Sequence, residues 1–172
     1  MRSGSIDIRI ITPIVTTSRL PREELALLEF PGVTVSHVSL AAGPASIESE
    51  YEVVMAAPDT VARAVEAERD GADAIIIDCM GDPALRAARE AVRIPVVGPA
   101  QASMHVAALL GQRFGVINTS RSVRAMLENS AALAGLSSKL VSIRSVDIPV
   151  LELENDMART AERLTDQAIQ AV

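Results

Sequence analysis

The segment Ala74-Ile-Ile-Ile-Asp78 constrains the fold more than any other part of the chain. It is an apolar run too short for a helix, preceded by Gly71 and followed by Gly81-Asp82-Pro83. Such runs, bounded by turn residues, are strands buried on both faces, as in parallel sheets. Strand and helix patterns alternate around it. Strands are expected at Ile8–Val15, Val33–Leu40 and Ile94–Val97, and helices at Pro21–Leu28, Val61–Glu68, Ala84–Val92 and Ala100–Leu110. Gly71 suits the left-handed residue after a helix, and Pro83 a first helical turn. Ser49 and Glu52 have capping-box spacing. A second cycle follows: strand Phe114–Asn118, helix Ser122–Leu133 closed by Gly135, strand Lys139–Ile143, and helix Asn155–Ala171 capped by Asn155 or Asp156. The repetition predicts an α/β fold of parallel sheets flanked by helices. A join near Gly98-Pro99 divides it into 1–98 and 99–172. The second cycle stops where the first goes on to its third strand. Two strands close a core poorly, so a further C-terminal portion is expected.

The 172 residues suit one domain or two small ones. With 49% apolar and 2% aromatic residues, the core must be aliphatic. A net charge of -6 without a basic stripe argues against nucleic acid. No apolar run approaches bilayer length and no signal-peptide stretch opens the chain, so a membrane is not an expected partner. One cysteine excludes an intrachain disulfide and a cysteine-based zinc site, and a reducing cytoplasm is the default location. The two histidines, His37 and His105, are joined by no carboxylate cluster, so no metal is expected. Both read as packed or surface residues.

That single cysteine, Cys79, follows the buried strand directly. Open α/β sheets place their ligand sites at the carboxyl ends of strands. A helix starting at Pro83 would turn its positive end toward the sulfur and favour the thiolate, the reactive form. The bland alternative is a small apolar filler, but a filler would sit more naturally among Ile75, Ile76 and Ile77. Gly81 allows close approach of a ligand to the backbone. Asp82 reads as an N-cap in preference to a catalytic group. Asp78 could orient Cys79, pair with a cation, or end the strand. Thr12-Pro13 and Thr16-Thr17-Ser18 share the same sheet edge, with hydroxyls suited to a small polar ligand or to a turn. Asn118-Thr119-Ser120 occupies the equivalent place in the second cycle, as an N-cap or as a site for an anion or carbonyl oxygen.

Three segments in order resemble the aspartate/glutamate/hydantoin racemase family, most of all its hydantoin racemase branch, which includes allantoin racemase. They are Gly43-Pro-Ala-Ser-Ile-Glu-Ser49, Gly71 to Pro83, and Ile94-Pro-Val-Val-Gly-Pro-Ala-Gln-Ala-Ser-Met-His105. The resemblance implies two pseudo-symmetric α/β domains with the active site in the cleft between them. It implies an isomerase without cofactor, acting on a small molecule and assembling as a homo-oligomer. Two cysteines would face opposite sides of the substrate carbon, one thiolate removing the proton and the other thiol returning one. Cys79 corresponds to the first. Amides near Met80, Gly81 and Asp82 would hold the substrate's carbonyl or carboxylate, and Pro13, Asn118 and Thr119 match pocket-lining positions.

The chain departs from the pattern in two places. The second cysteine is expected in a Gly-Cys segment just past Val172. Ile14-Val15 stands where many hydantoin racemases carry an Asn-rich turn, which points to a divergent pocket. The expected activity is racemisation of a 5-substituted hydantoin or a related acid or amide. The alternatives are a single-cysteine decarboxylase or cis-trans isomerase of the same superfamily, and a non-catalytic protein that binds a small molecule in the same cleft.

Overall fold

The computed structural model of the protein describes residues 5–15 and 22–171. Thr16-Thr17-Ser18 and Pro21 therefore lie outside the described residues. The chain forms two compact units. One holds the described residues up to Ala45 together with Tyr51–Pro99; the other holds Ser46–Glu50 and the chain from Ala100 onward.

The first unit is built on strands β1 (Ile6–Thr12), β2 (Val33–Ser39), β3 (Ala74–Ile77) and β4 (Val96–Val97), alternating with helices α1 (Arg22–Ala26), α2 (Glu50–Arg69) and α3 (Leu85–Ala91). The sheet is parallel throughout, in the order β2-β1-β3-β4. Ile11 of β1 lies beside Ile77 of β3, and Ile10 beside His37 of β2. Ile11, Ile75 and Ile77 are completely buried and form the centre of this core. The apolar run thus forms an interior strand, but only one of its faces is fully buried: Ala74 and Ile76 are half-buried and Asp78, just past the strand, is exposed.

Several boundaries differ from expectation for identifiable reasons. β1 ends at Thr12, because Pro13 has no N–H to offer the ladder and the Ile14 amide folds back to the Thr12 carbonyl. Helix α2 begins 11 residues before the expected Val61 and runs through Pro58. Its buried stripe of Ala56, Thr60, Ala64 and Ala67 packs at helical spacing, and Asp59 accepts hydrogen bonds from the amides of Ala41 and Ala42. These tertiary contacts outweigh the proline's preference for a break. The strand near Ile94 shrinks to Val96–Val97. Gly71 does take the left-handed conformation, with φ of 98°.

The second unit contains α4 (Pro99–Leu110), β5 (Phe114–Asn118), α5 (Arg124–Leu133), β6 (Leu140–Ser145) and α6 (Met157–Ile169). β5 and β6 pair in parallel as a two-stranded sheet. A single 3-10 turn, Arg121–Val123, leads into α5 where a helix from Ser122 is expected. Val123, Met126, Leu127 and Ala131 form its buried stripe. Asp156, not Asn155, caps α6 by accepting from the Arg159 amide at 3.0 Å.

Ser46–Glu50 joins this unit through Ile47, which is buried, and Glu48. The Glu48 carbonyl accepts from the Ser122 hydroxyl at 2.6 Å, and its carboxylate accepts from the Val150 amide at 3.3 Å. Among the described residues no helix is long and apolar enough to cross a membrane.

Ile75→Ala should cost about 2–5 kcal/mol, because the central strand cannot collapse around the cavity it leaves. Urea unfolding followed by circular dichroism measures this as a lower midpoint at unchanged slope.

Candidate active site

Three adjacent strands deliver polar side chains to one edge of the first sheet. β3 leaves the ladder at Asp78, whose amide makes a last bond to the Ile11 carbonyl at 2.8 Å. The Cys79 amide then folds back to the Ile77 carbonyl, and the Asp82 amide closes a turn onto the Cys79 carbonyl, each at 2.9 Å. Pro83, fully buried, and Leu85, 6% exposed, anchor the far side of this turn. Between those anchors Cys79, Gly81 and Asp82 are half-buried, while Met80 is exposed.

The turn is held in a strained form. Asp82 and Ala84 both lie in the left-handed region, with φ of 45° and 57°. That conformation costs a residue bearing a Cβ about 1–2 kcal/mol, somewhat less for Asp. Gly98, at the end of β4, makes room for the Asp82 carboxylate. A Cβ at position 98 would sit 2.5 Å from Asp82 Cγ.

Two expectations about this segment are corrected. Asp82 does not cap the helix and Pro83 is not in its first turn: α3 starts at Leu85, its N-cap is Ala84, and no side chain caps it. The sulfur belongs to the turn that precedes α3. Its N–H partner is Gly81 within the turn, donating to Sγ at 3.5 Å. Burial outweighs that bond, and the negative charges of Asp78 and Asp82 add to the effect. Together they push the Cys79 thiol up to about 11. The resting group is a thiol, not the thiolate expected from the sequence.

The amides near the sulfur are largely engaged. Gly81 N–H goes to Sγ and Asp82 N–H to the Cys79 carbonyl. The Met80 amide makes no hydrogen bond among the described residues. Pro13 is buried just past β1, where its neighbours tie two loops together: Val15 N–H bonds the Pro44 carbonyl and Leu40 N–H the Ile14 carbonyl.

Asn118 and Thr119 belong to the second unit. Asn118 Oδ1 accepts from the Ser145 hydroxyl at 3.0 Å, while its buried Nδ2 has no partner among the described residues. The Thr119 carbonyl accepts from the Ile148 amide, and Ser120 caps the 3-10 turn through the Ser122 amide. His105 bonds its own helix, through the Gln101 carbonyl.

Sequence reading passed over His37, a residue the fold brings to the site's edge. His37 Nε2 and Thr12 Oγ1 are 2.8 Å apart, and Thr12 Oγ1 stands 3.4 Å from Asp78 Oδ2. Burial holds His37 below its usual range, opposed by the charge of Asp78. The signal was the alternation that puts 12, 37 and 78 on one face once the order β2-β1-β3 is known.

Residues 10–172 match the sequence profile of the family described as Asp/Glu/Hydantoin racemase. The chain belongs to this family. Within the Asp/Glu/hydantoin racemases it is 37% identical to the hydantoin racemase of Pseudomonas sp. (strain NS671), over 78% of this chain and 54% of that protein. It is 35% identical to the hydantoin racemase of Rhizobium meliloti, over 95% of this chain and 68% of the relative. The chain thus spans about half to two thirds of the length of these relatives. The solved allantoin racemase from Klebsiella pneumoniae superposes with a TM-score of 0.88 at 28% identity, over 97% of this chain and 69% of that one. A double mutant of arylmalonate decarboxylase in a liganded form, at 17% identity and a TM-score of 0.66 over 98% of this chain and 74% of that one, shares the fold.

Alkylation of Cys79 by iodoacetamide should rise with a midpoint near pH 11, well above its ordinary value of 9.0. Asp78→Asn removes a repelling charge and should lower that midpoint. Stability carries the same signature. The unfolded thiol ionises near its ordinary value of 9.0 and the folded one near 11, so this contribution is intact below pH 9 and is lost between 9 and 11. Relative to Cys79→Ser, the wild-type chain should lose on the order of 2 kcal/mol over that interval, read from urea midpoints at both pH values.

Proposed function

We propose that the protein is a cofactor-independent racemase, with Cys79 as the acid–base group on one face of a 5-substituted hydantoin or related cyclic amide. The observation that carries this reading is the half-buried sulfur on a turn at the carboxyl end of the interior strand β3, in a chain of this family. The reading takes the unit of β1 to β4 as the Cys79-bearing domain and the unit of β5 and β6, which Ser46–Glu50 joins, as a second. It takes the working protein as a homo-oligomer on family likeness, and as cytoplasmic from its single cysteine.

The chemistry follows from the resting thiol. A hydantoin C5–H lies beside a carbonyl, and its removal places charge on that oxygen. Cys79 as a thiol is ready to return a proton to the carbanion on its own face. Acting in the other direction it must first lose its proton; an N–H dipole that the bound substrate brings to the sulfur favours that loss, whereas the water it displaces opposes it. The exposed Met80 amide is the donor suited to the growing enolate oxygen. Inversion needs a second acid–base group on the opposite face, which the family supplies as a second cysteine. Asp78 and Asp82 flank the sulfur, so an anionic substrate is disfavoured and an uncharged ring is preferred. That distinction favours a hydantoin over a free amino acid or a malonate.

The raised thiol supports a second reading, a binding protein that keeps the pocket without the chemistry. Single enantiomers of a hydantoin panel incubated in deuterated water separate the two. The racemase reading expects deuterium at C5 and loss of optical purity, with Cys79→Ser slower by at least about 100-fold. Exchange that is absent with every substrate, or undiminished in Cys79→Ser, overturns it.

A further inference from the structure

The second unit carries a polar groove of about 570 Å³ that the proposed chemistry does not use. Four guanidinium groups line it: Arg121 of the 3-10 turn, Arg124 at the start of α5, Arg144 near the end of β6, and Arg163 on α6. Asp147 is the single acidic residue in the lining, and Ile143 the single apolar one. This is a segregation of charge. Residues 100–171 contain seven cationic side chains (Arg113, Arg121, Arg124, Lys139, Arg144, Arg159 and Arg163) and seven acidic ones. Four of the cations and one of the acids meet here, in a chain whose net charge is -6.

Two of the arginines, Arg121 and Arg124, are each paired with one carboxylate, whereas Arg144 and Arg163 have no acidic partner among the described residues. Arg144 donates from Nε to Gln167 Oε1 at 2.8 Å and from Nη2 to Gln170 Oε1, two uncharged acceptors from α6. Arg121 spends only Nε on Asp147, at 3.0 Å. Arg124 spends Nε on Glu128, at 2.9 Å, and Nη1 on the Ile143 carbonyl, at 3.5 Å. Arg163 makes no hydrogen bond or ion pair among the described residues. Each guanidinium offers five N–H donors in a planar fork, so several donors from four directions remain for a ligand. Forks of this kind match the paired oxygens of phosphate and carboxylate groups. The volume suits a small molecule, and a lining with Ile143 as its one apolar residue favours a polar one.

We propose that this groove binds a small oxyanion carrying at least two negative charges, at a site separate in residues and chemistry from the Cys79 turn. Three net positive charges in the lining favour a multiply charged ligand over a monoanion. Asp147 is the built-in competitor: it occupies the Arg121 donor that an oxyanion would otherwise take.

Isothermal titration of the intact chain at low ionic strength tests this, with inorganic phosphate, succinate and acetate as separate probes. Phosphate or succinate should bind more tightly than acetate, and whichever binds better shows whether the groove is shaped for a tetrahedral ion or a dicarboxylate. Arg163→Gln, at an exposed position that leaves the fold alone, should weaken binding about tenfold, and Arg144→Gln at least as much. Asp147→Asn should tighten it, because it frees Arg121 and removes a repelling charge. Its positive φ of 53° is tolerated by Asn. The absence of measurable binding to either dianion, equal binding of acetate, or affinity unmoved by both Arg163→Gln and Asp147→Asn would overturn the proposal.

Discussion

The parallel pairing of β1 with β3 is the constraint on which the Cys79 region depends. Two buried isoleucines face each other in its final register pair, Ile11 against Ile77, and both strands stop within a residue of it. Parallel strands end on the same side, so the pairing delivers Thr12 and the Asp78-Cys79 turn to one edge. β2, paired with the other side of β1, brings His37 there too. A one-residue slip of β3 would turn Asp78 toward the opposite face and dissolve the Thr12 approach. The aliphatic core therefore sets the placement of the polar groups; they do not set it themselves.

At that edge two effects compete for the sulfur. One N–H, from Gly81, favours the anion; burial and two neighbouring carboxylates oppose it, and they win. The left-handed Asp82 and Ala84 lie between Cys79 and the start of α3. The chain tolerates the strain because Pro83 and Leu85 are packed on either side of Ala84.

Much of the architecture was legible in the sequence, and the failures are instructive. The apolar run 74–78, the glycine at 71 and the β-α alternation led directly to a parallel α/β fold, because short buried strands and left-handed helix stops have strong local signatures. The region of Cys79 was legible from the same run. The protonation of Cys79 was not, since it turns on how the backbone leaves the strand and on carboxylates that only the fold brings near. The length of α2 was misjudged because Pro58 is a local breaker, whereas the alanine stripe and the Asp59 bonds that override it are tertiary. His37 was passed over for a related reason: its meaning comes from strand order, which no single strand reveals. Arg121, Arg144 and Arg163 are scattered over 43 positions (163 minus 121, counted inclusively) and carry no motif.

The loop around Ile47 and Glu48 has a consequence for how this polypeptide can be assembled and divided. Its partner amide at Val150 lies 102 positions further on, so the ribosome must finish most of the chain before that bond can exist. Closing so long an interval carries an entropic cost that delays the contact relative to local ones. The five residues are thus a keystone laid early and locked late. Expressing the portion from Ala100 onward by itself would omit it, leaving Ser122 and Val150 to find water where they now find Glu48.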